Sequence, residues 1–311
     1  MTDQRPIVSI VTPTLNQAGF IEDALASVAG QTYEPIEHIV VDGGSNDGTL
    51  EILRRWGETG RIRWISGPDL GMYDAINKGL AITSGSILAY LNSDDLYFPW
   101  TVAAAVAGLA RRPKAGAVFG DSITVELSTG AQYAVFQPPF RRSIVAAAGP
   151  WAGLIVQPTV FWRRSAWETI GPFDANLRFV GDREYFLRLG RLFPVERLDE
   201  FLAIERHHAA ALSTAQREQL AREDQRAIRR SVDWHTRLRV RTYAACWRRV
   251  LWARFALAVV GGRTGGPWSG LRTSGMRLSP WRALLAQLPR VGYRFLPDAI
   301  RTDCGLAGRQ P

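Results

Sequence analysis

Apolar runs closed by polar residues recur along the first third of the chain. Ile7-Val8-Ser9-Ile10-Val11-Thr12 predicts a strand buried on both faces, closed by Pro13-Thr14-Leu15-Asn16. Phe20, Leu25 and Val28 then fall at the spacing of a short helix face. Glu37 to Asp42 predicts a second strand, followed by the turn Gly43-Gly44-Ser45-Asn46-Asp47-Gly48 and a helix through Leu50, Ile52 and Leu53. Ile62 to Ser66 is a third strand, Met72 to Ile82 a third helix, and Ile87-Leu88-Ala89-Tyr90-Leu91 a fourth strand. Strand ends near residues 12, 42, 66 and 92 give a βα repeat, which predicts an α/β fold with a mainly parallel sheet and helices on both faces. Further on, Thr101 to Ala110 predicts a helix, Ala117 to Asp121 and Gln132 to Phe136 strands of a mixed edge, and Gly181 to Leu189 another helix.

Sheets of this kind bind ligands outside the carboxyl ends of their strands. All four ends here are polar: Thr12 to Asn16, Asp42, Ser66 to Asp69, and Asn92-Ser93-Asp94-Asp95. Adjacent carboxylates repel and are costly to desolvate, so Asp94 and Asp95 at the end of a buried strand point to Mg²⁺ or Mn²⁺ shared with a diphosphate. A solvated acidic turn is the alternative. G-x-G-x-x-G is absent, and so is a Walker A lysine motif. A nucleotide would then be held by a carboxylate on its base or ribose and by a metal on its phosphates.

Together, Ser9-Ile10-Val11-Thr12-Pro13-Thr14-Leu15-Asn16, Gln31-Thr32-Tyr33 and Val40-Val41-Asp42-Gly43-Gly44-Ser45-Asn46-Asp47-Gly48-Thr49 resemble the donor half of family 2 glycosyltransferases with the GT-A fold. Pro68-Asp69-Leu70-Gly71-Met72-Tyr73-Asp74-Ala75-Ile76-Asn77-Lys78-Gly79, followed by Leu91 to Asp95, is similar to a bacterial branch that builds surface polysaccharides. The resemblance spans residues 7 to about 213. It implies that Asp42 reads the donor's base, that Thr12 and Pro13 wall that pocket, and that Asp69, Asp74, Asn77 and Lys78 lie near the ribose and diphosphate. Asn92-Ser93-Asp94 falls at the family's D-x-D position, which implies Asn92 beside the donor and Asp94, with Asp95, as metal ligands. His208 is implied as a partner of the metal or diphosphate, and Asp182 as the general base. Gly181 replaces the first member of the family's E-D pair, and Val156 stands where relatives often carry a histidine before Gln157. Plainer roles stay open beside these: Asp42 as a turn residue bonding its own backbone, Lys78 on a solvated helix face, Asp182 as an ordinary N-cap.

Composition changes the picture only toward the C-terminus. The 311 residues carry a net charge of +9, with 46% hydrophobic and 22% charged residues, ordinary values for a globular protein. Between Trp234 and Pro297, however, there are 12 Arg and five Trp, and no Lys, Asp or Glu. Thr214 to Arg230 predicts a charged solvated helix or linker. Val240, Tyr243, Ala244, Trp247, Val250 and Leu251 share one helix face with Arg241, Arg248 and Arg249 off it, the pattern of a segment lying on an anionic membrane surface. Packing on the catalytic body or an RNA-binding arm would also use such residues. No apolar run reaches the roughly 18 residues of a spanning helix. Met1 to Pro6 leads directly into the first strand, which predicts no secretion leader, and Cys246 and Cys304 lack metal-like spacing, which fits a reducing compartment.

The expectation is therefore a GT-A fold with a Rossmann-like sheet over residues 1–213, its donor half about 1–115 and its acceptor half about 116–213, and a helical basic tail over 214–311. The resemblance implies an inverting transferase that uses Mn²⁺ or Mg²⁺ and a nucleotide-sugar donor, UDP-sugars first, with a glycan or lipid-linked acceptor at the cytoplasmic face of the cell membrane. No nucleic-acid partner is expected. An inactive GT-A scaffold and a nucleotidyltransferase are the rival expectations; the second wants a basic triphosphate cradle, and residues 12–19 contain no Lys or Arg.

Overall fold

Strands covered on both faces are buried along their whole length, and all seven residues of Val8–Thr14 and all four of Ile87–Tyr90 are buried. The computed structural model describes residues 5–135, 137, 140, 155–209 and 218–224. The elements in order are β1 (Val8–Thr14), α1 (Ile21–Ala29), β2 (Ile36–Asp42), α2 (Thr49–Glu58), β3 (Arg63–Ser66), α3 (Met72–Ala81), β4 (Ile87–Tyr90), β5 (Leu96–Tyr97), α4 (Thr101–Arg111), β6 (Ala117–Glu126) and β7 (Ala131–Val135). A 3₁₀ turn (Gln157–Thr159) then precedes β8 (Phe161–Arg163), α5 (Arg164–Ile170), α6 (Gly181–Leu192) and β9 (Val195–His207).

Among the described residues one nine-stranded sheet runs β3-β2-β1-β4-β8-β6-β9-β5, with β7 paired to β6. Strands β3, β2, β1 and β4 are mutually parallel, as the repeat predicts, and β8 joins antiparallel between β4 and β6. The chain moves outward from β1 to β3 and then returns to place β4 on the other side of β1. That reversal makes the crevice at the carboxyl ends of β1 and β4 the natural ligand site.

Helices cover both faces. Val8 and Ile10 join Ala24, Val28, Val102, Ala105 and Leu109 on one side. Val11, Ile39 and Val41 meet Tyr73, Ile76, Leu80, Tyr185 and Phe186 on the other. Helix α3 lies so close to the sheet that a Cβ on Gly79 would come within 2.4 Å of Val11 Cγ1. Only glycine permits that approach, and it brings the start of α3 to the strand ends.

The acceptor half departs most from the sequence expectation. Strand β6 continues past Asp121 to Glu126, and the 13-residue β9, which the polar-apolar pattern did not announce, runs parallel to it. Shifts of register near Asp121 break the strict alternation that a sequence reading depends on. Short β5 and β8 and helix α5 were likewise not anticipated. No helix among the described residues is long and apolar enough to cross a membrane. The amphipathic segment Val240 to Leu251 and the arginine-rich stretch to Pro297 lie outside the described residues.

Candidate active site

The first corner of the crevice is made by strand ends in register: Thr14 sits beside Asp42, and Asp42 beside Ser66. Asp42 is fully buried, where an unpaired carboxylate would be prohibitive. Its Oδ2 accepts the Gly44 N–H at 2.9 Å, the Ser45 N–H at 3.0 Å and the Ser66 hydroxyl at 2.6 Å, and its Oδ1 accepts the Ser45 hydroxyl. This is the turn role, and it fixes the loop after β2, in which Gly44 and Gly48 take φ of 93° and 100°. The same loop is bonded to the one after β1, through Ser45 to the Asn16 N–H at 2.7 Å and Asp47 to the Ala18 N–H at 2.9 Å. Asp69 arrives from the end of β3. A Cβ on Gly43 would lie 2.7 Å from its Oδ2, so the bare glycine lets the two acids share one corner.

Several donor-side expectations find different partners. The Thr12 hydroxyl pairs with His38 Nε2 at 2.9 Å, and burial pushes the His38 pKa down to about 3, so the pair is neutral. Thr12 thus spends its side chain inside the fold; the neighbouring Pro13 is buried as well. Thr14 Oγ1, in contrast, is buried without a hydrogen bond at the strand end. Asp74 accepts the Leu70 N–H at 3.0 Å and pairs with Lys78 at 2.9 Å, while Lys78 Nζ donates to the Pro68 carbonyl at 3.1 Å. The Leu70 N–H and Lys78 hold the Asp74 carboxyl below the usual carboxylate range. Both polar atoms of the Asn77 amide engage the Phe173 backbone at 2.9 Å, so Asn77 ties α3 to the segment before α6.

The second corner is the loop after β4. Asp94 Oδ2 lies 3.2 Å from His208 Nε2, although 114 residues separate them in sequence. The His208 ring stacks on Phe20 at 4.5 Å. Asp95 turns the other way: its carboxylate accepts the Arg206 N–H at 3.3 Å and faces Asn92 Nδ2 at 3.5 Å. Burial first, then the Asp94 and Glu205 charges, push the Asp95 carboxyl well above the usual range. Asn92 Nδ2 also donates to Gln157 Oε1 at 3.2 Å, and Asn92 Oδ1 is buried with no hydrogen bond. Beneath the loop, the buried Arg206 donates to the Asp94 carbonyl and pairs with Asp23 of α1 at 2.7 Å. Residues 92–95 are thereby pinned to both α1 and β9.

No group of three His, Cys, Asp or Glu side chains converges as a ready metal cage among the described residues. Mg²⁺ and Mn²⁺ chemistry does not need one, since Mg²⁺ usually takes one or two carboxylates, waters and substrate phosphates. Asp94 and His208, with the orphaned oxygen of Asn92 close in sequence, fit such a partial shell. Asp95, whose carboxylate is turned to the Arg206 N–H and the Asn92 amide, stands apart from that pair.

The third component is Asp182, the second residue of α6. Val180, not Asp182, is the N-cap, so ordinary capping is not its place in the helix. Its Oδ1 accepts the Arg183 N–H at 2.7 Å and the Tyr73 hydroxyl at 3.3 Å. A Cβ on Gly181 would come within 2.7 Å of the Tyr73 ring, which accounts for glycine where the family pattern has an acid. Burial raises the Asp182 pKa against the lowering effect of those two hydrogen bonds. Glu205, on β9, was missed in the sequence; it bonds the Thr124 hydroxyl at 3.3 Å. Burial, then the charges of Asp182 and Asp94, raise its pKa to about 7. The Asp94 charge acts on both Asp95 and Glu205, and the Asp182 charge on Glu205, which marks these carboxyls as neighbours, the electrostatic signature of a functional cleft. Glu205 and Arg206 could have been found only by recognising Phe201-Leu202-Ala203 as the buried centre of a strand that delivers them.

The profile of glycosyl transferase family 2 matches residues 9–170. A PGL/p-HBAD biosynthesis glycosyltransferase of Mycobacterium bovis is 32% identical over 188 residues, covering 59% of this chain and 69% of the relative. Among solved structures, the mannosyltransferase PcManGT from Pyrobaculum calidifontis, in complex with GDP-Man and Mn²⁺, superposes with a TM-score of 0.59 at 22% identity, over 98% of this chain and 84% of that one. S. aureus TarS 1–349 in complex with UDP gives a TM-score of 0.56 at 16% identity, over 95% of this chain and 82% of that one. At those identities the two structures speak for the fold, which is the GT-A glycosyltransferase architecture that the strand-end motifs anticipate.

Proposed function

The chain belongs to glycosyl transferase family 2, and from that premise we propose that it transfers a sugar, with inversion, from a nucleotide-diphosphate donor to a hydroxyl of a glycan or lipid-linked acceptor during surface-polysaccharide assembly. The observation that supports the reading is that the parallel strands β1 to β4 deliver Asp42, Asp69 and Asp94 to one edge of the sheet, while the charges of Asp94 and Asp182 both reach Glu205.

Each corner has a task. The loop fixed by Asp42 receives the base, with Asp69 beside the ribose, and a UDP-sugar is the first donor to try. Structural neighbours solved with UDP, UDP-GlcNAc and GDP-Man support a donor of this class. Asp94 and His208 would hold Mn²⁺ or Mg²⁺, which when bound supplies positive charge against the leaving diphosphate. Asp182 accepts the proton of the attacking hydroxyl. A carboxyl whose pKa is raised by burial is a stronger base than a solvated one, and the Tyr73 hydroxyl and Arg183 N–H hold it in place. The brace of Asp74 and Lys78 shapes the segment 68–71 that borders the donor.

A panel of UDP-glucose, UDP-GlcNAc and GDP-mannose, incubated with purified protein and an octyl glycoside, tests this. Nucleotide release is expected for at least one donor, with Mn²⁺ present, and its loss on adding EDTA. No release from any donor, with or without acceptor, favours the inactive scaffold.

The composition of the tail supports peripheral attachment at the cytoplasmic membrane face. A basic residue near an anionic surface is worth on the order of 1 kcal/mol, and salt screens the attraction. The full chain is therefore expected to cosediment with phosphatidylglycerol vesicles at low salt and to be released at high salt. Indifference to such vesicles at low salt would end the membrane reading.

A further inference from the structure

The helical residues 218–224 follow the limit of the family resemblance, yet they meet the segment that leads into α6. Glu223 receives three consecutive backbone donors: Oε2 accepts the Arg178 N–H at 2.9 Å, and Oε1 accepts those of Phe179 at 2.7 Å and Val180 at 3.0 Å. The next residue, Asp224, is buried and pairs with the Arg183 guanidinium. Leu220 packs on Val180, with Leu177 and Phe179 against the same small cluster. Val180 is the N-cap of α6, and Arg183 is the residue whose backbone N–H binds Asp182 Oδ1 at 2.7 Å. The helix start offers no side-chain cap of its own.

We propose that Glu223 and Asp224 are positioning residues for the transfer reaction: they clamp residues 178–183 from outside the matched domain and so set where the Asp182 carboxylate stands. The proposal rests on Asp182 as the base. One carboxylate orders three peptide groups that otherwise have no partner in this segment's own helix, through charge-assisted bonds of the stronger kind. The second carboxylate fixes the side chain of the residue adjoining Asp182. Apart from the clamp, the groups that face Asp182 are the Tyr73 hydroxyl from α3, Tyr90 from β4, Arg183 on its own helix and Glu205 from β9. A misplacement of about 1 Å in such a group can cost on the order of 10²-fold in rate.

The test uses full-length Glu223→Ala, with Glu223→Gln and Asp224→Asn as milder variants should the first fold poorly, and the best donor of the panel above. Expected are faster hydrogen exchange at the amides of Arg178, Phe179 and Val180, UDP affinity as in the wild type, and turnover lowered by about 10- to 100-fold. The acid limb of the pH profile should also move to lower pH, because a loosened segment admits water to Asp182. Unchanged turnover together with an unchanged acid limb would overturn the proposal. So would a loss that follows melting temperature alone with the acid limb in place. Retained turnover in Asp182→Asn would instead remove the base assignment underneath, and the amide exchange of Glu223→Ala tells that failure apart from a missing clamp.

Discussion

Replacing Asp182 with Asn should lower sugar transfer by roughly 10²- to 10⁴-fold while leaving the fold and donor affinity close to normal. The Asn oxygen still accepts the Arg183 N–H and the Tyr73 hydroxyl, so the geometry survives, but an amide cannot take up the acceptor's proton. The pH dependence gives an independent mark. Asp182 works deprotonated, so the wild-type rate should fall as pH drops through its pKa, and burial places that fall above the usual carboxylate range near 4. The Asn variant should have no such limb. Stability moves the other way: a carboxyl with a raised folded-state pKa contributes most when protonated, below its unfolded pKa, and that contribution is lost as pH rises through the folded pKa. The melting temperature of Asp182→Asn relative to wild type should therefore improve from pH 4 to pH 8. Transfer rates and melting curves of the two proteins across this range decide the matter, and a fully active Asn variant excludes Asp182 as the base.

Asp94→Ala should carry the next largest effect. Losing this carboxylate leaves His208 as the one side chain of the pair, so Mn²⁺ affinity and metal-dependent donor affinity should fall by at least about 10- to 100-fold, a range typical even for residues that only support a ligand. Titration of Mn²⁺ alone, followed by electron paramagnetic resonance, reads the site without any turnover. Asp95→Asn serves as contrast, since that carboxylate faces the Arg206 N–H and Asn92. It should retain Mn²⁺ binding. Equal Mn²⁺ affinity in Asp94→Ala and wild type would sink the assignment.

The donor half was readable because its strands are continuous apolar runs and its chemistry sits where those runs stop. Asp42, Asp69 and Asp94 could be named from that rule, and β1 to β4 with their helices follow the expected order. What the pattern could not express is which way a side chain turns at the end of a strand. Thr12 and Asn77 look like neighbours of a donor in sequence, yet one meets a buried histidine and the other a backbone segment nearly 100 residues away. Asp94 and Asp95 look equivalent, and a single arginine distinguishes them. That arginine comes from β9, a strand whose alternation is interrupted by charged residues and whose pairing with β6 slips in register. Glu223 and Asp224 were hidden for a different reason. Charged helical sequence reads as solvated surface unless the peptide groups it binds are in view.

The pinning of Asn92 to Asp95 by Arg206, 111 residues or more further along, also has a consequence for how the protein is made. Contacts this distant in sequence form late, because closing the intervening loop costs entropy before any contact repays it. During synthesis the first four strands and their helices leave the ribosome well before β9 does, and domains fold in that order. The nascent donor half can therefore build the corner around Asp42 early. The corner around Asp94 waits for the last strand of the sheet, so a chain stopped between the donor half and His208 would carry the corner around Asp42, the proposed base site, without the corner proposed for the metal.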